Sequence, residues 1–170
     1  MQSVDVKDLE NYKGKDMGHS DWMSIDQNRI NLFADATDDH QWIHVNEEKA
    51  QKELPTKSTI AHGFLSLSLS VPLAGKIWTV TGAKMMINYG LNKVRFINMV
   101  PVNSRVRMGI KIKEVNKLDN GGTQVISEAT LEIEGQDKPA YVAEQIICLL
   151  YTSDAADEGL GVDLGGRRII

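Results

Sequence analysis

The second half of the chain alternates. In "SRVRMGIKIKEV", residues 104–115, Val106, Met108, Ile110 and Ile112 are interleaved with Arg107, Lys111 and Lys113, the period of a strand buried on one face. "LDNGG" at 118–122 supplies a turn. "TQVISEATLEIEG" then resumes the alternation, with Val125, Ala129, Leu131 and Ile133 on one side and Glu128, Glu132 and Glu134 among those opposite. A further strand is expected from Tyr141 toward Ile147. Upstream, "KMMINYGLNKVRFINMVP" reads as another strand pair, or as a strand interrupted by a bulge or bend at "NYGLN".

The first half has a helical period. Asp5 to Tyr12 is read as a short helix and "HSDWMSI" as a short strand that ends at a helix start. Ser24 or Asp26 can cap that helix, whose inner face carries Ile30, Phe33 and Ala34 and which should end near Thr37. Asn46 can cap a second short helix through "EEKAQKE", and "LPTKST" breaks the pattern. "IAHGFLSLSLSVPLAGKIW", residues 60–78, is apolar on nearly every face, so this helix belongs inside the fold. The sum is an α+β fold: a buried helix followed by an antiparallel meander that wraps it.

Composition narrows the class. A chain of 170 residues with 42% hydrophobic content suffices for one domain and hardly for two. A net charge of -4 without a basic stripe makes nucleic acid an unexpected partner. The N-terminus shows no charged start followed by an apolar run, and no window reaches the roughly 18 apolar residues of a membrane span. A cytoplasmic location is therefore expected. Cys148 alone can form neither an intrachain disulfide nor a cysteine metal cluster. Residues 1–147 are read as the single domain. Residues 148–170 are read as a disordered or non-native tail, since "LLYTSDAADE" and "VDLGGRRII" resemble the translated read-through of a sequencing adapter.

Two stretches carry chemistry. "FADATDDHQWIHVNEEKA", residues 33–50, sets Asp38 and Asp39 close to His40 and His44. Asp39 and His44 span a helix end and a loop, so both can converge on one water and move its protons near neutral pH. The competing reading is a helix cap beside a structural histidine, and spacing alone favours it. His40 is expected to face solvent. In "TIAHGF", Gly63 lies at the start of the buried helix, where unpaired N–H groups could hold an oxyanion; a glycine needed for close packing is an equal alternative. His62 is read as a structural hydrogen-bonding residue. Ser66, Ser68 and Ser70 are read mainly as helix packing or as bonding back to helix carbonyls. The four histidines lack the HExxH spacing of a zinc site, so no metal is expected.

These stretches together with "NYGLNKVRFINMVPVNSRVR" resemble the MaoC-like dehydratases, or (R)-specific enoyl-CoA hydratases, in particular the nodulation protein N-like branch. The resemblance runs from about Val4 to Ile147. It implies a hotdog fold, in which an antiparallel sheet wraps a long central helix, usually as a homodimer. The family's motif, approximately G-D-x-N-P-[IL]-H, falls on Asp38 to His44, with Asp38 in place of Gly, Gln41 in place of Asn and Trp42 in place of Pro. Its catalytic pair falls on Asp39 and His44, and its "HG" glycine on Gly63. Its supporting serine falls on Ser68 or Ser70.

The activity implied is reversible hydration of a trans-2-enoyl-CoA to an (R)-3-hydroxyacyl-CoA, with no cofactor beyond the thioester itself. The acyl group could also be carried by acyl carrier protein. Residues expected to bind substrate are His62, Ser68, Asn88, Tyr89 and Gly90. Met85, Met86, Asn88, Tyr89 and Leu91 are read mostly as core, with an acyl tunnel as the alternative, and Lys93, Arg95, Arg105 and Arg107 are candidates for the CoA phosphates. Two rivals are a hotdog acyl-CoA thioesterase and a non-catalytic acyl-CoA-binding or assembly subunit. The retained Asp39, His44 and "AHG" argue against both.

Overall fold

A computed structural model describes residues 1–119 and 121–150. Strand β1 (Gln2–Asp5) leads through a 3-10 turn at Val6–Tyr12 to β2 (Asp16–His19) and β3 (Met23–Ile25). Helices α1 (Gln27–Thr37), α2 (Trp42–Val45), α3 (Glu47–Glu53), α4 (Gly63–Ser68) and α5 (Ser70–Ile77) follow. Strands β4 (Trp78–Thr81), β5 (Met85–Phe96), β6 (Ser104–Lys117), β7 (Thr123–Ile133) and β8 (Tyr141–Leu150) complete the described chain. The main sheet runs β2-β6-β7-β8-β5, with β3 also on β6, and every pairing in it is antiparallel. A separate parallel pair joins β1 to β4. This is the expected α+β hotdog arrangement.

Each element follows from local chemistry. Asp26 caps α1 by accepting the Arg29 N–H, and Asn46 caps α3 by accepting the Lys49 N–H. The alternating residues of β6 and β7 put Val106, Met108, Ile110, Ile112, Val125, Ala129, Leu131 and Ile133 in the core. Against them packs the stripe Leu65, Leu69, Leu73 and Ile77, spaced at i, i+4 along the central helices and at most 6% exposed. Burying one such side chain fully stabilises the fold by roughly 1.5–3 kcal/mol.

Several expectations need correction. The apolar run 60–78 is not one helix buried all round. It divides at Leu69, because Pro72 lacks the N–H that would bond to the Ser68 carbonyl and its ring crowds that carbonyl. Phe64 and Val71 are exposed at 69% and 53%, since the sheet covers only one side of the helices. "HSDWMSI" forms the end of one strand and the whole of another, both on β6. Between "KMM" and "RFI" there is one strand, with register shifts at Asn88/Gly90 and Leu91/Lys93, so the bulge reading holds and the strand pair does not. Met85, Met86, Tyr89 and Leu91 do not enter the core. They lie exposed on β5, the sheet's edge strand. Strand β8 continues through buried Cys148 and Leu149 to Leu150, past the boundary read at Ile147. The expected tail from residue 151 onward lies outside the described residues.

Candidate active site

Asp38 ends α1 in the left-handed conformation, φ 57°, a geometry that suits Gly, Asn or Asp at a helix C-terminus. That explains why aspartate stands at the motif's glycine position. The chain then turns through Asp39, which accepts the Gln41 N–H at 3.4 Å, and enters α2, a single helical turn. A turn so short has little stability of its own. Its place is fixed from outside. The Gln27 side-chain amide donates to the His44 carbonyl at 2.8 Å, and Thr59 in turn donates to the Gln27 side-chain oxygen. The Ile60 N–H bonds the Ile43 carbonyl at 3.1 Å.

Residues 59–62 form the extended wall of the site. Ala61 and Val102 bond the carbonyls of Val100 and Thr59, both at 2.8 Å. From this wall the Ile60 carbonyl accepts His44 Nδ1–H at 2.7 Å. His44 is thereby fixed as the Nδ1–H tautomer, which leaves Nε2 with the free lone pair. Burial holds the His44 pKa below its ordinary value, and the neighbouring His62 ring pushes the same way. The Ile60 bond and the Asp39 carboxylate oppose this in part. The imidazole is therefore uncharged at neutral pH and able to accept a proton.

His62 caps the start of α4, 2% exposed, and donates from Nε2 to the Asp39 carbonyl at 2.9 Å. Its ring stacks on His44 with centroids 3.7 Å apart and planes 24° from parallel. One ligating atom each of Asp39, His44 and His62 lies within 4.8 Å of the others. At the upper end of that range two polar atoms can be bridged by one water at about 2.8 Å from each. A metal fits less well. The lone pairs of two nearly parallel rings run side by side and do not converge on one ion, and one nitrogen of each ring is already bonded to a backbone carbonyl.

Gly63, the first residue of α4, has an N–H with no acceptor among the described residues. A Cβ there would stand 3.2 Å from the Phe96 ring, so the absence of a side chain also serves packing. Thus Asp39, His44 and His62 are brought together, and Gly63 follows His62 directly in the chain. The other expected binding residues are not. Ser68 donates to the Phe64 carbonyl at 2.8 Å, the back-bonding read from sequence. Asn88 lines a small cavity of about 80 Å³ under α5 with Ser70. Tyr89 and Gly90 are exposed on β5. No hydrogen bond or ring contact joins these four to Asp39, His44 or His62 among the described residues.

The remaining candidates find other partners. His40 is exposed and bonds Asp35 at 2.9 Å. Lys49 lies 4.5 Å over the Trp42 ring. Arg105 and Arg107 pair with Glu134 and Glu132, and both lie over Trp22, so neither is a free cation for phosphate. Sequence reasoning missed Gln27 and Thr59, which act across 17 and 32 positions of chain.

Residues 8–133 match the family described as "MaoC like domain". The chain is 51% identical over 142 residues to the "3-hydroxyacyl-thioester dehydratase Z" of Mycobacterium tuberculosis (strain ATCC 25618 / H37Rv), an alignment covering 84% of this chain and 93% of that protein. It is 37% identical to "Nodulation protein N" of Rhizobium leguminosarum bv. viciae, covering 94% of this chain and all of that one. Among solved structures, the MaoC-like dehydratase from Rhodospirillum rubrum superposes with a TM-score of 0.70 at 15% identity, covering 86% of this chain and 97% of that one. The (R)-hydratase from A. caviae gives 0.65 at 18% identity, covering 79% and 94%; at such identities the likeness speaks for the fold alone. The chain belongs to the MaoC-like dehydratase family. It is an enzyme of the hydro-lyase class.

Proposed function

We propose that this protein catalyses the reversible hydration of trans-2-enoyl-CoA to (R)-3-hydroxyacyl-CoA. The observation that carries this reading is the Asp39–His44 pair, an exposed carboxylate and a buried imidazole whose polar atoms lie within 4.8 Å of one another. The mycobacterial relative's name, a 3-hydroxyacyl-thioester dehydratase, supports the thioester substrate.

In the hydration direction, the thioester carbonyl accepts the free N–H of Gly63. That bond strengthens as negative charge gathers on the oxygen. The water held by Asp39 and His44 adds its oxygen to C3 as its proton passes to the pair, and the pair returns one proton to C2. One C–O and one C–H bond form, one O–H and the C=C π bond break, and the pair ends as it began. Because the two groups titrate together, the proton belongs to the pair as a unit. The chemistry needs no metal or redox cofactor, since the thioester supplies the acidity at C2.

A second copy of this chain is proposed as the partner. Among the described residues, strand β5 pairs along one edge only and exposes Met85, Met86, Tyr89 and Leu91 by 43% or more, an apolar edge of the kind that seeks another strand. Solved relatives in fold include heteromeric assemblies, such as the HadBC and ChsH1-ChsH2 complexes of Mycobacterium tuberculosis.

The test is an assay with crotonyl-CoA. The expected result is loss of the conjugated absorbance, a product that is the (R) enantiomer on chiral analysis, and no release of free thiol. Thiol release without hydration would replace this reading with a thioesterase.

A further inference from the structure

We propose that His62 is a positioning residue for the Asp39–His44 pair, bonded to the main chain of one member and stacked on the ring of the other. This rests on the hydratase reading above. The rest of the site explains His62 poorly in any other way. Its Nδ1 is buried with no hydrogen-bond partner, a cost that an apolar side chain of similar volume would avoid. What the imidazole adds is the Nε2–H bond to the Asp39 carbonyl and a flat face against His44.

The geometry shows what that bond does. The Asp39 carboxylate stands 3.9 Å from the same Nε2 and is 53% exposed. Carbonyl and carboxylate therefore compete for one donor. With the carbonyl holding it, the peptide is anchored and the carboxylate stays directed to the open site. Without it, the loop between α1 and α2 is free to swing.

On the other member, two contacts fix the imidazole. The Ile60 carbonyl sets its rotation and the His62 face sets its plane, while Phe33 backs His62 at a centroid distance of 5.0 Å. The titratable groups that bear on the His44 ring are His62 and Asp39. The contacts of His62 run to Asp39, His44 and Phe33, so its loss should appear in kcat more than in KM.

Two variants separate the roles. His62→Phe keeps a flat ring and loses the donor; His62→Gln keeps an amide N–H of similar reach and loses the second imidazole. We expect His62→Phe to lower kcat on crotonyl-CoA by about tenfold or more with KM changed less than about threefold, and His62→Gln to recover most of that loss. In His62→Gln, which keeps a polar side chain beside His44, the acid limb of kcat/KM should move to higher pH, because the neighbouring imidazole that helps keep His44 uncharged is gone.

Imidazole nitrogen NMR of the wild-type protein gives a readout independent of turnover. It should find His62 as the Nε2–H tautomer and His44 as the Nδ1–H tautomer. The opposite tautomer at His62 would overturn the proposal. So would wild-type kcat in both folded variants, or an equal loss in both with an unmoved acid limb. If the wild type hydrates no enoyl thioester, the hydratase reading fails, and the proposed support of the pair is still decided by the tautomers and by the His44 titration midpoint in His62→Gln, expected above that of wild type.

Discussion

At the scale of single residues, the site is a set of side chains whose freedom is removed by main-chain carbonyls. His44 is the clearest case: the Ile60 carbonyl fixes its ring, and burial holds its pKa down. The folded value lies below the unfolded one, near 6.5, so the unfolded chain binds the proton more readily. The stability His44 contributes is therefore present above about pH 6.5 and lost as the pH falls through the folded value. The difference in unfolding free energy between wild type and His44→Gln should shrink as urea titrations are taken from pH 7.5 to 5; a difference independent of pH would contradict this. Gly63→Ala places a methyl against the Phe96 ring, which must give by a few tenths of an ångström. It should lower kcat/KM by about tenfold while moving the thermal midpoint by only a few degrees.

Residues of this kind were unevenly legible in the sequence. Asp38, Asp39, His40 and His44 lie within one short stretch, where a helix end and a loop are both signalled locally; spacing alone favoured the helix cap, and "TIAHGF" with the resemblance reversed that choice in favour of Asp39 and His44. His62 was legible as a hydrogen-bonding residue, but its partner was not, because the partner is a carbonyl 23 positions away. Gln27 leaves no local trace at all. A glutamine in the first turn of a helix is unremarked until the fold brings Thr59 and the His44 carbonyl to it.

At the scale of elements, periodicity was a good guide where a strand is buried on one face and a poor one elsewhere. The β6–β7 hairpin follows its alternation except at the register shift between Ile112 and Glu114. β5 misled, because an apolar strand destined for an edge has the composition of one destined for the core. The central helix misled in a different way: Pro72 stood in the sequence as a visible break, but the apolar run around it outweighed it. The stripe Leu65, Leu69, Leu73 and Ile77 joins helix to sheet. Leu73→Ala, at a site with 0% exposure, should cost about 2–5 kcal/mol in urea-induced unfolding. A cost under about 1 kcal/mol would mean that the helices are not held by this stripe.

At the scale of the whole molecule, one sheet face covers one side of the central helices and leaves Phe64, Val71 and the apolar edge of β5 uncovered. No helix among the described residues is long and apolar enough to cross a membrane. The proposed self-association through β5 would account for its exposed residues, and a charge placed on that edge should then be costly. Light scattering of the full chain should give the mass of two copies, falling toward one copy in Ile87→Lys, a β5 position that is 39% exposed; a monomeric wild type would contradict the assignment of β5 as the contact.

The central claim is that Asp39 and His44 act together on a water that adds to an enoyl thioester. It is tested most directly by the initial rate of crotonyl-CoA hydration in wild type, Asp39→Asn and His44→Ala, each confirmed as folded. The account predicts rapid turnover in wild type and a fall of about 10²–10⁴-fold in each variant. Turnover near the wild-type rate in both variants would contradict it.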